Sequence, residues 1–231
     1  MLELAPEGFE EVEREQTLDL FAYTDLRGAA RMRVAFGDTV RVPVEEGWEE
    51  QWKEFHRGSR VGDLWIGPPW EDPPADTVGV TIDPGRAFGT GAHATTRLCL
   101  EFLLELERAS LLDVGCGSGV LAIAAAKLGF APVVALDNDP AAVETARRNA
   151  AANDVRVEAL LADALIDETP STDIIVANLS GQVVTALAPR LRTSFVVTSG
   201  YLERDRPELV GFRRSQRRTR EGWAADLHVR E

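Results

Sequence analysis

Three glycines at alternate positions, Gly115, Gly117 and Gly119, follow the apolar run Leu111-Leu112-Asp113-Val114 and precede Val120-Leu-Ala-Ile-Ala-Ala-Ala. A strand, a tight turn and a helix start are compressed into one stretch. Glycine lets the backbone turn sharply and approach a ligand, and Ser118 is expected to cap the helix, whose N-terminus then faces an anionic group. The spacing is Gly-x-Gly-x-Gly. Val120 stands where the third glycine of a pyrophosphate-cradling Gly-x-Gly-x-x-Gly turn belongs. Asp137 closes the next apolar run, Pro132–Leu136, and a carboxylate about twenty residues on accepts hydrogen bonds from ribose hydroxyls. This is chemistry for a nucleoside without a pyrophosphate, and S-adenosyl-L-methionine (AdoMet) is the ligand that fits. Asn178 ends the apolar run Ile174–Ala177, at the carboxyl edge of a strand, where ligands bind in open α/β sheets.

The elements that position these residues follow from periodicity. From Ser110 onward, strands are expected over about 110–115, 132–137, 155–161, 172–177 and 194–199. Helices are expected over about 118–129, 140–152 and 181–192, with a turn near 163–168. Gly129 ends the first of these helices and Pro140 sits in the first turn of the second. A short helix near 203–210 and two segments, about 211–219 and 223–230, which read as a hairpin around Glu221-Gly222, complete the chain. Alternation of this kind means an α/β class with a mostly parallel sheet and helices on both faces. Upstream, a strand over Val78–Ile82 leads into Asp83-Pro-Gly-Arg-Ala-Phe-Gly-Thr-Gly-Ala-His-Ala-Thr-Thr96, a glycine-rich run before a helix with Leu98, Phe102, Leu103 and Leu106 at helical spacing.

The start of the chain reads differently. Leu18–Tyr23, Arg31–Phe36 and Val40–Val44 alternate as strands, punctuated by Gly28 and Gly37-Asp38. Trp48, Trp52 and Phe55 then share one helical face. Gly67-Pro-Pro-Trp-Glu-Asp-Pro-Pro74 cannot be helix or central strand and reads as a semi-rigid connector. The expected division is a small module over 1–46, a linker with the Trp helix and the prolines over 47–75, and the main domain over 76–231.

Of 231 residues 45% are hydrophobic, enough for a real core, and no run suits a transmembrane helix. The first residues lack signal-peptide character. Cys99 and Cys116 are too few for a disulfide framework or a metal cage and read as small buried hydrophobes. A cytoplasmic protein without a metal or a membrane partner is expected. The net charge is −13, and residues 1–54 hold fourteen acidic against six basic side chains. Such a field disfavours phosphate backbones and favours basic protein partners.

Several stretches together carry a resemblance. Phe88-Gly-Thr-Gly-Ala-His-Ala-Thr-Thr96 is similar to the Phe-Gly-Thr-Gly-x-His-x-Thr-Thr signature of the ribosomal protein L11 methyltransferase family. Asp113–Gly119, Asp137-Asn-Asp-Pro140 and Ala177-Asn-Leu179 follow in the family's order, and Gly47-Trp-Glu-Glu-Gln-Trp-Lys53 resembles its interdomain helix. The resemblance implies a Rossmann-like seven-stranded AdoMet-methyltransferase sheet with a small N-terminal α+β module. It also implies an antiparallel last strand. The implied enzyme is a monomer that transfers methyl groups to lysine side chains or the α-amine of a basic large-subunit ribosomal protein. Carried over residue by residue, it places cofactor contacts at Thr96, Gly115, Asp137 and Asn178; Phe88, Gly89, Thr90, Gly117 and Asp163 are further expected contacts, Asp163 with the adenine amino group. The amide of Asn178 and the carbonyl of Leu179 hold the incoming amine, and His93 is a possible proton relay or a hydrogen-bonding member of the loop.

Two departures stand out. The first strand and helix of the family's four-stranded module are missing from the start, as a misassigned start codon or a different lysine substrate would produce. The segment Pro189–Phe195 lacks the usual Gly-rich turn. A methyltransferase acting on another protein, such as an electron-transfer flavoprotein subunit, is therefore the alternative. Next come a nucleic-acid methyltransferase and an NAD-dependent oxidoreductase. Asn178-Leu-Ser-Gly offers no aromatic to stack an extruded base. The cluster Arg213, Arg214, Arg217, Arg218 and Arg220 reads as a solvated face rather than an RNA site, so strong nucleic-acid binding is not expected.

Overall fold

The computed structural model describes residues 9–13, 18–22, 26–37, 39–40, 57–83, 91 and 93–231. The chain divides into two compact units, Met1–Lys53 and Glu54–Glu231.

In the first unit β1 (Phe9–Glu13) and β2 (Leu18–Ala22) pair antiparallel, with Phe9 opposite Ala22, and α1 (Leu26–Phe36) follows. The strand expected over Arg31–Phe36 is the second half of this helix. Six alternating residues fit either period, but over the full element Leu26, Ala29, Met32 and Phe36 recur every three to four positions. Of the residues in 31–36 only Met32 is buried. Gly28 lies inside the helix, and Gly37 follows its end with its N–H on the Arg33 carbonyl. Of the strand expected over 40–44 only Val40 is described, in irregular backbone, and the Trp48–Phe55 helix lies outside the described residues.

The second unit opens with a three-stranded sheet. β3 (Ser59–Val61) runs antiparallel to β4 (Leu64–Gly67), which runs parallel to β5 (Val78–Thr81). The proline-rich stretch joins β4 to β5 within this unit. Val61, Leu64, Ile66, Val80 and Ile82 are buried in one core with Leu98 and Phe102 of α2 (Ala94–Glu105).

The main sheet has seven strands. They are β6 (Leu111–Val114), β7 (Val133–Asp137), β8 (Glu158–Leu161), β9 (Ile174–Asn178), β10 (Phe195–Leu202), β11 (Phe212–Arg220) and β12 (Trp223–Arg230). Their spatial order is β11-β12-β10-β9-β6-β7-β8, and β12 alone runs opposite to the other six. That is the Rossmann-like methyltransferase sheet. Helices α3 (Val120–Lys127), α4 (Pro140–Ala152) and α5 (Gly181–Leu187), with a 3-10 turn over Ala188–Arg190, provide the crossovers. Central strands buried on both faces explain the near-continuous apolar runs. One core lies on the side of α2, α3 and α4, the other under α5 with Leu209 and Phe212.

The helix expected over 203–210 is absent. Pro207 removes an N–H and disfavours helical backbone at Arg206, so the segment is a turn followed by irregular chain. Its shape is held from outside, since Arg217 donates to the Glu203 and Asp205 carbonyls at 3.2 and 2.7 Å. The hairpin between β11 and β12 turns at Glu221 and Gly222, both at positive φ, as a right-twisted two-residue turn requires.

Candidate functional site

Chain order reverses between β6 and β9, and the crevice at their carboxyl ends is where an open sheet binds ligands. A cleft of about 370 Å³ opens there, lined among others by Thr96, Asp113, Gly115, Asp137, Asp163 and Asn178. The volume falls in the range of small-molecule sites.

The glycine turn forms its floor. Gly115 and Cys116 both donate to the Leu136 carbonyl, at 2.8 and 3.1 Å, which draws the turn against the end of β7. Gly115 has φ +71, and a Cβ there would sit 2.5 Å from Leu179 Cδ2. A side chain there would be strained and would push the Leu179 Cδ2 methyl aside. The expected Ser118 cap on α3 does not form. Gly119 occupies the N-cap position without a side-chain bond, and Asp113 Oδ2 accepts from the Ala122 N–H at 3.1 Å instead. The acid at the end of β6 therefore satisfies the third residue of the helix. Burial pushes the Asp113 carboxyl up to about 7, against that hydrogen bond and with the Asp137 charge adding to the rise.

Asp137 carries the turn from the other side. Its Oδ2 accepts from Gly117 N–H at 2.9 Å and its Oδ1 from Asp139 N–H at 3.0 Å. Each oxygen keeps a further acceptor site. Asp163 lines the neighbouring wall, with Oδ1 accepting from Leu165 N–H at 2.9 Å.

Asn178 and Leu179 form the rim. The Leu179 N–H donates to the Ser199 carbonyl at 2.9 Å, and β10 bulges between Ser199 and Tyr201. Gly200, at the bulge with φ +96, packs so closely that a Cβ would fall on the Leu179 carbonyl oxygen. Asn178 Nδ2 lies 3.2 Å from Thr95 Oγ1 and 3.4 Å from Thr96 Oγ1. His93 is the N-cap of α2, its Nδ1 accepting from the Thr95 N–H, and its ring meets Trp223 edge-on at 5.0 Å. Thr96 is thus inside the first turn of α2, not at its cap.

A second network braces the turn from behind. Asn149, on α4, donates from Nδ2 to the Ser118 carbonyl at 2.9 Å, and its Oδ1 accepts from Asp83 N–H at 3.3 Å. Asn153 accepts from Thr81 N–H at 2.8 Å and returns a bond to the Thr81 carbonyl at 2.6 Å, pairing with β5 as a strand would.

Residues 13–225 match the profile of the family described as Ribosomal protein L11 methyltransferase (PrmA). The chain belongs to this family. Among relatives so named, that of Symbiobacterium thermophilum is 46% identical over 150 residues, covering 63% of this chain and 49% of its own length. That of Aeromonas hydrophila is 41% identical over 189 residues, covering 75% and 64%. The chain thus spans between about half and two thirds of the length of these relatives. The crystal structure of a ribosomal protein L11 methylase from Lactobacillus delbrueckii subsp. bulgaricus superposes with a TM-score of 0.70 at 29% identity, covering 76% of this chain and all of that one.

Within the family's sheet, the cleft brings together Thr96, Gly115, Gly117, Asp137, Asp163, Asn178 and Leu179. His93 reaches the group through Thr95. Phe88, Gly89 and Thr90 lie outside the described residues. Four residues of the site escaped the sequence reading: Thr95, Asp113, Asn149 and Gly200. Asp113 had a signal, a lone acid in an otherwise apolar strand. Gly200 and the asparagines act through backbone groups distant in sequence, and a single chain carries no trace of such pairings.

The arginine cluster on β11 is divided: Arg213 and Arg214 are exposed, as a solvated face requires, and the other three are engaged internally. Arg218 pairs with Glu105 at 2.5 Å and lies over the Phe102 ring at 4.3 Å, and Arg220 pairs with Glu101 at 2.7 Å. Arg217 faces the buried Asp226 at 3.6 Å. Charges on a sheet-edge strand also oppose edge-to-edge pairing. Among the described residues no helix is long and apolar enough to cross a membrane, and no acidic, Cys or His cluster could hold a metal ion.

Proposed function

We propose that the chain is an AdoMet-dependent protein N-methyltransferase that acts, as a cytoplasmic monomer, on lysine side chains or the α-amine of ribosomal protein L11. The observation that carries this reading is Asn178-Leu179 at the cleft rim, one side-chain amide and one main-chain carbonyl beside a glycine turn made for a nucleoside. The cleft fits AdoMet in size and in its donor set. Asp137 would take the ribose hydroxyls, the glycine turn the methionine portion, and Asp163 the adenine amino group. Bound there, the cofactor supplies an electrophilic methyl group on a positively charged sulfur.

The chain's own work is then positioning. An ammonium has no free lone pair, so the amine must arrive neutral, against its ordinary pKa near 10.4. A largely apolar rim, here Leu179, Val183 and Leu187, favours the neutral form. Oxygen acceptors on Asn178 and Leu179 hold the amine N–H bonds so that its lone pair points into the cleft, and alignment provides most of the acceleration. Residues 1–70 would recognise the substrate while 71–231 carry the chemistry. The acidic character of residues 1–54 suits a basic partner.

Transfer of labelled methyl groups from AdoMet to purified L11, with mass mapping of the modified amines, tests the reading. Calorimetry with AdoMet and NAD accompanies it. Preferential binding of NAD, or methylation of another protein such as an electron-transfer flavoprotein subunit in place of L11, overturns it.

A further inference from the structure

Asn178 can serve an incoming amine only if its amide oxygen, and not its NH2 group, faces the cleft. The two ends of an amide are alike in shape, so something must set the direction. The neighbours do so by donor and acceptor logic. His93 Nδ1 accepts from the Thr95 N–H at 3.3 Å. A nitrogen that accepts carries no proton, so the ring holds its proton on Nε2 when neutral. The same Nδ1 lies 2.8 Å from Thr95 Oγ1. With no proton on Nδ1, the single hydroxyl proton of Thr95 must occupy that contact. Thr95 Oγ1 is then left with lone pairs alone toward Asn178, 3.2 Å away, and only the Nδ2 end of the amide can meet it. Thr95 is buried, as is Thr96, whose Oγ1 flanks the same Nδ2 at 3.4 Å.

We infer that His93 and Thr95 are positioning residues: a one-way hydrogen-bond chain from Asn178 Nδ2 through Thr95 Oγ1 to His93 Nδ1 turns the Asn178 oxygen toward the substrate amine. His93 works as a fixed acceptor and moves no proton during transfer. The inference rests on the proposed amine-methylating role for its purpose, but the chain itself exists in the free protein.

Two sets of measurements test it separately. Imidazole nitrogen NMR of the wild-type chain at neutral pH reads the tautomer, and a proton on Nδ1 overturns the inference whatever the substrate proves to be. Steady-state and single-turnover kinetics on L11 then compare four variants. Thr95→Val and His93→Ala are expected to lower kcat tenfold or more with AdoMet Kd little changed. Thr95→Ser, which keeps the hydroxyl, and His93→Asn, which keeps an N-cap acceptor, are expected to restore most of the rate. The double variant Thr95→Val/His93→Ala should be no worse than the poorer single one, because both cut the same chain. If His93→Asn is as slow as His93→Ala, the ring moves protons and the inference fails. It fails equally if Thr95→Val runs at the wild-type kcat. A wild-type chain that methylates no amine, yet shows the Nε2–H tautomer and a shifted Asn178 side-chain amide signal in Thr95→Val, leaves the chain standing and overturns the proposed function instead.

Discussion

The two ends of the seven-stranded sheet treat their charges in opposite ways. At the β6–β7 end, Asp137 takes backbone N–H bonds on both oxygens yet still lines an open cleft, and Asp113 has one backbone partner beside it. At the β10–β12 end, Asp226 is buried among Tyr201, Arg214 and Arg217, and the outward arginines meet glutamates on α2. Both regions are rich in ionisable groups. Only the first keeps acceptor capacity facing a space that a ligand can enter. The second spends its charges on itself, holding the edge strands and the 203–210 segment to the fold. Charge density alone therefore does not mark a site. Unspent hydrogen-bonding capacity in a cleft does.

If that contrast is right, mutations at the two ends separate stability from function. Asp226→Ala leaves the partly buried Arg217 with only its bonds to the Glu203 and Asp205 carbonyls and takes an acceptor from Tyr201, whose phenol burial keeps protonated. Losing a buried charged acceptor of this kind costs about 1.5–3 kcal/mol. Urea denaturation should show this loss while AdoMet affinity of the folded protein is unchanged. A fall in affinity at native stability would break the contrast.

Asn178→Ala should do the reverse. Loss of one positioning hydrogen bond in a dry site is worth about 2–4 kcal/mol of barrier, roughly thirty- to a thousandfold in single-turnover rate at saturating AdoMet. Denaturation should be near wild type. Full rate at saturation would reduce Asn178 to a cofactor contact. Asp137→Ala comes next, costing about 1.5–3 kcal/mol of AdoMet affinity, or roughly ten- to a hundredfold in Kd by calorimetry.

Asp113 gives a pH test. Its carboxyl titrates near 3.8 when unfolded and at about 7 when folded. Between those values the folded chain holds the extra proton, so the group lowers stability progressively as pH rises through the window. Asp113→Asn should flatten that part of the stability–pH curve, and an unaltered slope would place the effect elsewhere. The smallest change is expected from Arg218→Ser and Arg220→Ser, about 0.2–1 kcal/mol each for partly exposed pairs. Any RNA binding seen in filter assays should be unaffected by them. A large loss of RNA binding would turn this face into a site after all.

The sequence was legible where one local rule was at work. The glycine turn, the parallel strands and the terminal hairpin follow from spacing within a few residues, and the structure places them as read. Arg31–Phe36 was misread because a six-residue window cannot separate the two periods. The 203–210 segment was misread because its helical composition conceals Pro207. Ser118 has the right side chain to cap a helix, but Asp113, five positions earlier, reaches the same N-terminus from the adjoining strand. In the site, Asn178 announced itself by standing at the end of an apolar run. Thr95, Asn149 and Gly200 did not, because what each does depends on groups far away in the chain.

Asn149 has a consequence of its own. Its one amide holds the Ser118 carbonyl with one end and the Asp83 N–H with the other. The spacing between an amide's oxygen and nitrogen is set by covalent geometry and does not drift. Two segments widely separated along the chain are therefore registered to a common datum, as two machined parts are located by one dowel. The chain therefore enters the signature-bearing stretch from a point fixed relative to the glycine turn.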